Sequence, residues 1–302
     1  MAASPLMQPT PPSPVGGARR VNESGAGSIL MSCSMDNAKH VYALLQCLSL
    51  GRKKDQLVRC DIDASGLYFT AHSKGKSLQI KTSFASDLFD SYAYHIEETL
   101  GFRISLHHLL EGLSVFGMST LASTSVTWSF DESSACFQMV LTDNGILAEC
   151  AIQVIVEDEL HDFTQGDFER SFEGSVVVGR VIIQSNALQE VVSEFSDLPP
   201  AAPVVIRMHP NNAFQFQASS SEGNSCEIDV AKASPALIEY DTTTDIESTF
   251  QWSLLQEALQ GLAIAAETFI RLNAQGYCSI QHMALVGSNR AFVDALLCPD
   301  AM

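Results

Sequence analysis

At 302 residues and 46% hydrophobic, the chain is long enough for two ordinary domains with sizeable cores, while a formal net charge of −18 argues against a partner held by broad phosphate contacts. Residues 1–150 hold eleven basic and fourteen acidic side chains and residues 151–302 hold six and twenty-one, so any phosphate-binding surface has to arise from local clustering in the first half. With no long apolar run, no charged-then-apolar N-terminal segment and no C-x-x-C pair among eight cysteines, the expectation is a soluble intracellular protein whose cysteines are reduced core thiols rather than disulfides or zinc ligands.

Residues 1–27 are rich in Pro, Gly, Ser and Ala and read as a disordered tail. From Ser28 the pattern changes: SILMSCS reads as a strand and Asp36 as a helix N-cap. Ala38, Val41, Tyr42, Leu45 and Leu48 then share one helical face, which Gly51 ends. LVRCDID, LYFTAHS and SLQIKTS alternate with period two around the turns Ala64-Ser65-Gly66 and Lys74-Gly75-Lys76, the pattern of antiparallel hairpins. In FRISLHHLLEGLSVFG, Phe102 and Ile104 end a strand and Ser105 caps a helix whose apolar face is Leu106, Leu109, Leu110, Leu113 and Phe116. SVTWSFD, ACFQMVLTD and ILAECAIQV follow as strands, the last two joined by Asn144-Gly145, a strong hairpin signal.

The second half repeats this order. A helix capped by Asn186 carries Leu188, Val191, Val192, Phe195 and Leu198, the first helical face displaced by 150 residues. PVVIRMH and AFQFQAS mirror the early hairpin. FQWSLLQEALQGLAIAA places Leu255, Ala258, Leu259, Leu262 and Ala265 at an offset of 149 from the second helix, with Ser253 and Gln256 as a capping box. ETFIRLNA, YCSIQHMAL and AFVDALLC close the repeat. The expected organisation is therefore two α+β domains of like topology, 28–154 and 175–302, joined by an acidic, aromatic connector at 155–174.

Asp61 and Asp63 are two apart on a strand and could hold Mg²⁺ for phosphodiester hydrolysis, but Arg59 shares their face opposite Val58, Cys60 and Ile62, as a solvated strand surface would show. Gly75-Lys76-Ser77 resembles the end of a phosphate loop, yet Thr70 stands where the loop needs its first glycine. His107 and His108 are adjacent, so they do not share a helix face. Arg52, Lys53 and Lys54 after the first helix, with Lys39 and His40 on its polar side, form a basic streak that fits either dipole compensation or phosphate contact.

MDNAKHVYALLQCLSL, FRISLHHLLEGLSVFG and the ending AFVDALLCPD resemble stretches of the sliding-clamp superfamily, within it the Rad-one type of subunit of the DNA-damage checkpoint clamp, the nine-one-one heterotrimer. The resemblance covers about residues 28–300. It implies two clamp domains, each with antiparallel sheets outside and two short helices lining a bore. It also implies a ring completed by Rad-nine and Hus-one type subunits, an ATP-dependent loader, duplex DNA bound without sequence specificity, a nuclear location, and recruitment of checkpoint and repair factors.

On this basis Lys39, His40, Arg52, Lys53 and Lys54 are expected to face DNA, and Leu160, Phe163, Phe168 and Phe172 of the connector to form a partner-docking rim. ILAECAIQV and NSCEIDV are expected to be the ring-forming edges. No catalytic residue, metal or cofactor is expected. The alternatives are a homotrimeric replication-type clamp and a metal-dependent 3′–5′ exonuclease resting on Asp61 and Asp63. The helices of the second half depart from the basic pattern of DNA-facing clamp helices, because they carry Gln189, Glu190, Glu194, Gln256 and Glu257.

Overall fold

The computed structural model describes residues 29–51, 54–131, 133, 135–156, 167–211, 213–219 and 225–300. The tail at 1–27 lies outside the described residues. The first half runs β1 (Ile29–Met35), α1 (Ala38–Gln46), β2 (Leu57–Asp63), β3 (Gly66–His72), β4 (Leu78–Ala85), β5 (Ser91–Tyr94), β6 (Leu100–Ser105), α2 (Leu106–Leu113), β7 (Ser125–Asp131), β8 (Cys136–Asp143) and β9 (Ile146–Gln153). A short helix α3 (Asp167–Glu173) precedes the second half. That half runs β10 (Val177–Gln184), α4 (Ser185–Ser193), β11 (Pro203–Met208), β12 (Ala213–Ser219), β13 (Ser225–Ala231), β14 (Leu237–Thr242), β15 (Ile246–Gln251), α5 (Trp252–Ala258), β16 (Ala265–Asn273), β17 (Cys278–Val286) and β18 (Asn289–Leu297). The order of strands and helices is the same in both halves.

The strands form three antiparallel sheets. β5-β1-β7-β8-β9 belongs to the first half and β13-β12-β11-β15 to the second, while β14-β10-β16-β17-β18-β4-β3-β2-β6 runs through both. The seam in this central sheet is the β18–β4 pair, with Val293 opposite Thr82 and Leu297 opposite Leu78. Alternation decides which face each side chain takes. Val58, Cys60, Ile62, Leu67, Phe69 and Phe84 turn inward and are fully buried. There Phe69 and Phe84 meet Trp128 of β7 edge to face, with ring centroids 6.1 and 6.0 Å away. Arg59, Asp61, Tyr68, Thr70 and Lys81 turn to the opposite, outer face.

Local chemistry explains the turns. Asn144 and Gly145 both take positive φ, 48° and 78°, as a two-residue hairpin matching the strand twist requires. Gly66, at φ 152°, leaves no room for a Cβ because the carbonyl oxygen of Phe84 occupies that place.

Several expectations need correction. The N-cap of α1 is Asn37, whose side chain accepts from the Lys39 N–H at 3.0 Å, whereas the Asp36 N–H donates to Asp90. Ser105 does cap α2, accepting from the His108 N–H at 3.3 Å. Asn186 and Ser253 do not cap, because α4 and α5 each begin one residue before them and their N-cap positions are Gln184 and Gln251. β10 (VVGRVIIQ) holds the adjacent apolar runs Val177-Val178 and Val181-Ile182-Ile183, which blur its period-two pattern in sequence although burial alternates along it, and β5 has only four residues. All eight cysteines are free, but Cys136, Cys150, Cys226 and Cys298 are only partly buried.

Candidate nucleic-acid interface and free sheet edges

The helices make a continuous wall. α1 packs on α2, the turn after α5 packs on α4, and the two pairs meet where Gln260 Nε2 donates to the Ser49 carbonyl at 3.0 Å. The buried stripe of α1 is Ala38, Val41, Leu44 and Leu45, and that of α2 is Leu106, Leu109 and Leu113, so the opposite stripes face outward. Lys39 and Gln46 are exposed on α1, His108 and Glu111 on α2, Gln189, Glu190 and Ser193 on α4 with Glu194 at its C-cap, and Gln256 on α5.

Lys39 thus lies on the outward side of the wall. His40 is half-buried, and burial followed by the Lys39 charge holds its pKa below the ordinary histidine value, so it adds little positive charge at neutral pH. Lys54 lines a cavity of about 910 Å³ with Gln46, Ser49, His107, Gln256 and Gln260, where α1, α2 and α5 converge. Arg52 and Lys53 lie outside the described residues. His107 Nε2 is 3.2 Å from Glu111, a turn along α2.

The connector residues separate in the same way. Leu160 and Phe163 lie outside the described residues, while Phe168 and Phe172 belong to α3 and are 7% and 6% exposed. Phe168 packs against the His72 ring, and the Arg271 guanidinium lies 5.2 Å from the Phe172 ring centre. Both aromatic rings are used to seat α3 on the outer face of the central sheet. The two aspartates have local partners as well. Asp61 accepts from Arg59 Nε at 2.9 Å, and Asp63 accepts from the Ser65 N–H at 2.7 Å to shape the β2–β3 turn. Among the described residues no group of three or more His, Cys, Asp or Glu side chains is placed to hold a metal ion.

The edges carry the topological information. In each half the fourth strand is β4 or β13 and the ninth is β9 or β18. β4 and β18 pair inside the chain, whereas among the described residues β9 and β13 each end a sheet with one side unpaired. Ile146 and Leu147 at the start of β9 are each more than half exposed. At β13, Gln215 Nε2 donates to both Glu227 and Asp229 at 2.7 Å, leaving an acidic edge.

Comparison with known proteins decides between clamp and unrelated repeat. The sequence profile of the family described as repair protein Rad1/Rec1/Rad17 matches residues 30–284, most of the chain. This chain belongs to the Rad1/Rec1/Rad17 family. Its doubled topology is accordingly the sliding-clamp fold of that family. The chain is similar to the mouse (Mus musculus) cell cycle checkpoint protein RAD1, 25% identical over 284 residues covering 92% of this chain and 95% of the relative. It is similar to the human (Homo sapiens) protein of the same name at 24% identity over 271 residues, 88% of this chain and 90% of the relative. Membership in the Rad1 family connects the chain with DNA damage, repair, checkpoint and cell-cycle functions.

Proposed function

We propose that the chain is a non-enzymatic subunit of a heterotrimeric ring that encircles duplex DNA, with 28–154 and 175–302 as its clamp domains. Two related subunits, of the Rad-nine and Hus-one types, complete the ring, and an ATP-dependent loader opens it. The loaded ring serves checkpoint signalling and repair factors in the nucleus.

The observation that carries this reading is the internal β4–β18 junction. The same fourth-to-ninth pairing, repeated between chains, joins β9 of one subunit to the fourth strand of the second domain in the next. It satisfies backbone groups that free edges leave unpaired, and a head-to-tail contact of this kind closes into a ring. The helix wall then lines the bore, with Lys39 and Lys54, together with Arg52 and Lys53, offering nonspecific phosphate contacts. Enclosure holds the DNA, so a wall rich in glutamine and carrying few cations suffices.

The partners are different chains because the two edges do not match each other. An apolar β9 end that also carries Glu149 would meet Glu227 and Asp229, and like charges facing across a ladder are destabilising. Light scattering on the isolated chain at about micromolar concentration should give the monomer mass. Affinity purification from cells should return two other clamp-type chains in equal amounts. A stable homotrimer would contradict this and favour the replication-type clamp.

A further inference from the structure

The outer face of the central sheet, away from the helix wall, holds a concavity of about 850 Å³ whose charge runs against that of the chain. Its floor is built from the outward side chains of β2, β3, β4 and β6, and Glu169 of α3 stands at one end. Arg59, Lys74, Lys76, Lys81 and Arg103 contribute positive charge, with His72 beside them. The carboxylates in the same trough are engaged locally. Asp61 is held by Arg59, Asp63 accepts from the Ser65 and Gly66 N–H groups, and Glu169 lies 3.9 Å from Lys81 and accepts from Gln79. In a chain of net charge −18, five cations against three committed carboxylates make this a local reversal of sign.

The turn between β3 and β4 presents two of those cations. Ser73 Oγ accepts from the N–H groups of Ser77 and Leu78 at 3.1 and 3.0 Å, and the Lys76 N–H donates to the Ser73 carbonyl at 3.0 Å, so the turn is held at both ends. Lys74 and Lys76 project from it into solvent. Lys76 has φ 51°, in the left-handed region where glycine is free of strain and a lysine is not.

We propose that this trough is a docking site for a carboxylate-rich peptide segment of a partner protein. Its mixed lining favours a peptide over duplex DNA. A continuous polyanion would meet Asp61, Asp63 and Glu169 as well as the cations, whereas a peptide can place carboxylates on Lys74 and Lys76 and hydrogen-bonding groups on the acids. The volume lies within the roughly 300–1,000 Å³ range of ligand sites. The apolar side of α3 adds nothing to the floor, since Phe168 and Phe172 are turned into the chain. This inference does not depend on ring closure and is tested on the isolated full chain.

The probe is a fluorescein-labelled glutamate-rich peptide, with a Gly-Ser peptide and a labelled duplex oligonucleotide as comparisons, followed by anisotropy over a range of salt. The glutamate-rich peptide should bind saturably and more weakly at high salt. Lys74→Glu with Lys76→Glu should weaken binding by about tenfold or more, and Lys232→Glu, remote from the trough, should not. Lys76→Gly should weaken binding while raising the unfolding midpoint, a combination that damage to folding would not give. No saturable peptide binding, or equal affinity in the double variant, would overturn the proposal. So would a duplex that binds in preference to the peptide and is lost with the same two lysines.

Discussion

His282 is buried in β17 with both ring nitrogens occupied. Its Nε2 donates to the Ala258 carbonyl at 2.9 Å, so Nδ1 accepts from Thr268 Oγ1 at 3.0 Å, and Thr268 in turn accepts from Ser185 Oγ at 2.8 Å. The chain of bonds ties the end of α5, β16 and the start of α4 to one neutral imidazole, and Gly261 leaves room for the ring where any Cβ would overlap it. Burial lowers the His282 pKa from 6.5 to about 4. Between those values the unfolded chain takes up a proton that the folded chain refuses. Stability from this site is thus complete above about pH 6.5 and declines by up to ~3 kcal/mol as pH falls toward 4. Urea unfolding from about pH 7 to about pH 4.5 should show this decline in the wild type and a flatter profile in His282→Asn. Parallel profiles would contradict the assignment. The burial of His282 was legible in YCSIQHMAL, where alternation places it with Cys278 and Ile280. Its partners were not, because Ser185 and Ala258 come from distant helix ends.

Helix α3 illustrates what periodicity misses. Seven residues are too few to show a helical repeat, and so short a helix is marginal without tertiary support. The i, i+4 spacing of Phe168 and Phe172 was nevertheless readable in DFERSFE, and it puts both rings on the face toward the sheet. Asn273 fixes the helix from below, its Nδ2 donating to the Phe172 carbonyl at 3.0 Å. α3 therefore lies across the seam between the halves, touching β3, β4 and β16 through His72, Gln79 and Arg271. Phe168→Ala and Phe172→Ala should each lower stability by about 3 kcal/mol in denaturant unfolding, the lower end for buried phenylalanines. A loss below about 1 kcal/mol accompanied by loss of partner binding would instead make these rings docking anchors.

The doubled architecture was legible because repetition at an offset near 150 residues marks helix faces and turn residues alike, as in FRISLHHLL and FQWSLLQEAL. The joining of the halves was not. β4 and β18 lie about two hundred residues apart, and the alternation that identifies a strand says nothing of its neighbour. The outward surface of the helix wall was legible only in part, since Lys39 and Lys54 are clear in sequence while the convergence of α1, α2 and α5 around Lys54 needs the fold. The trough was missed because its cations sit singly on three strands and as a pair on one turn. The central claim concerns topology, and retention on circular DNA tests it most directly. The assembled complex, loaded on nicked circular plasmid, should survive gel filtration in high salt with the DNA and be released when the plasmid is linearised. Equal retention on circular and linear DNA, or none on either, would contradict an encircling ring.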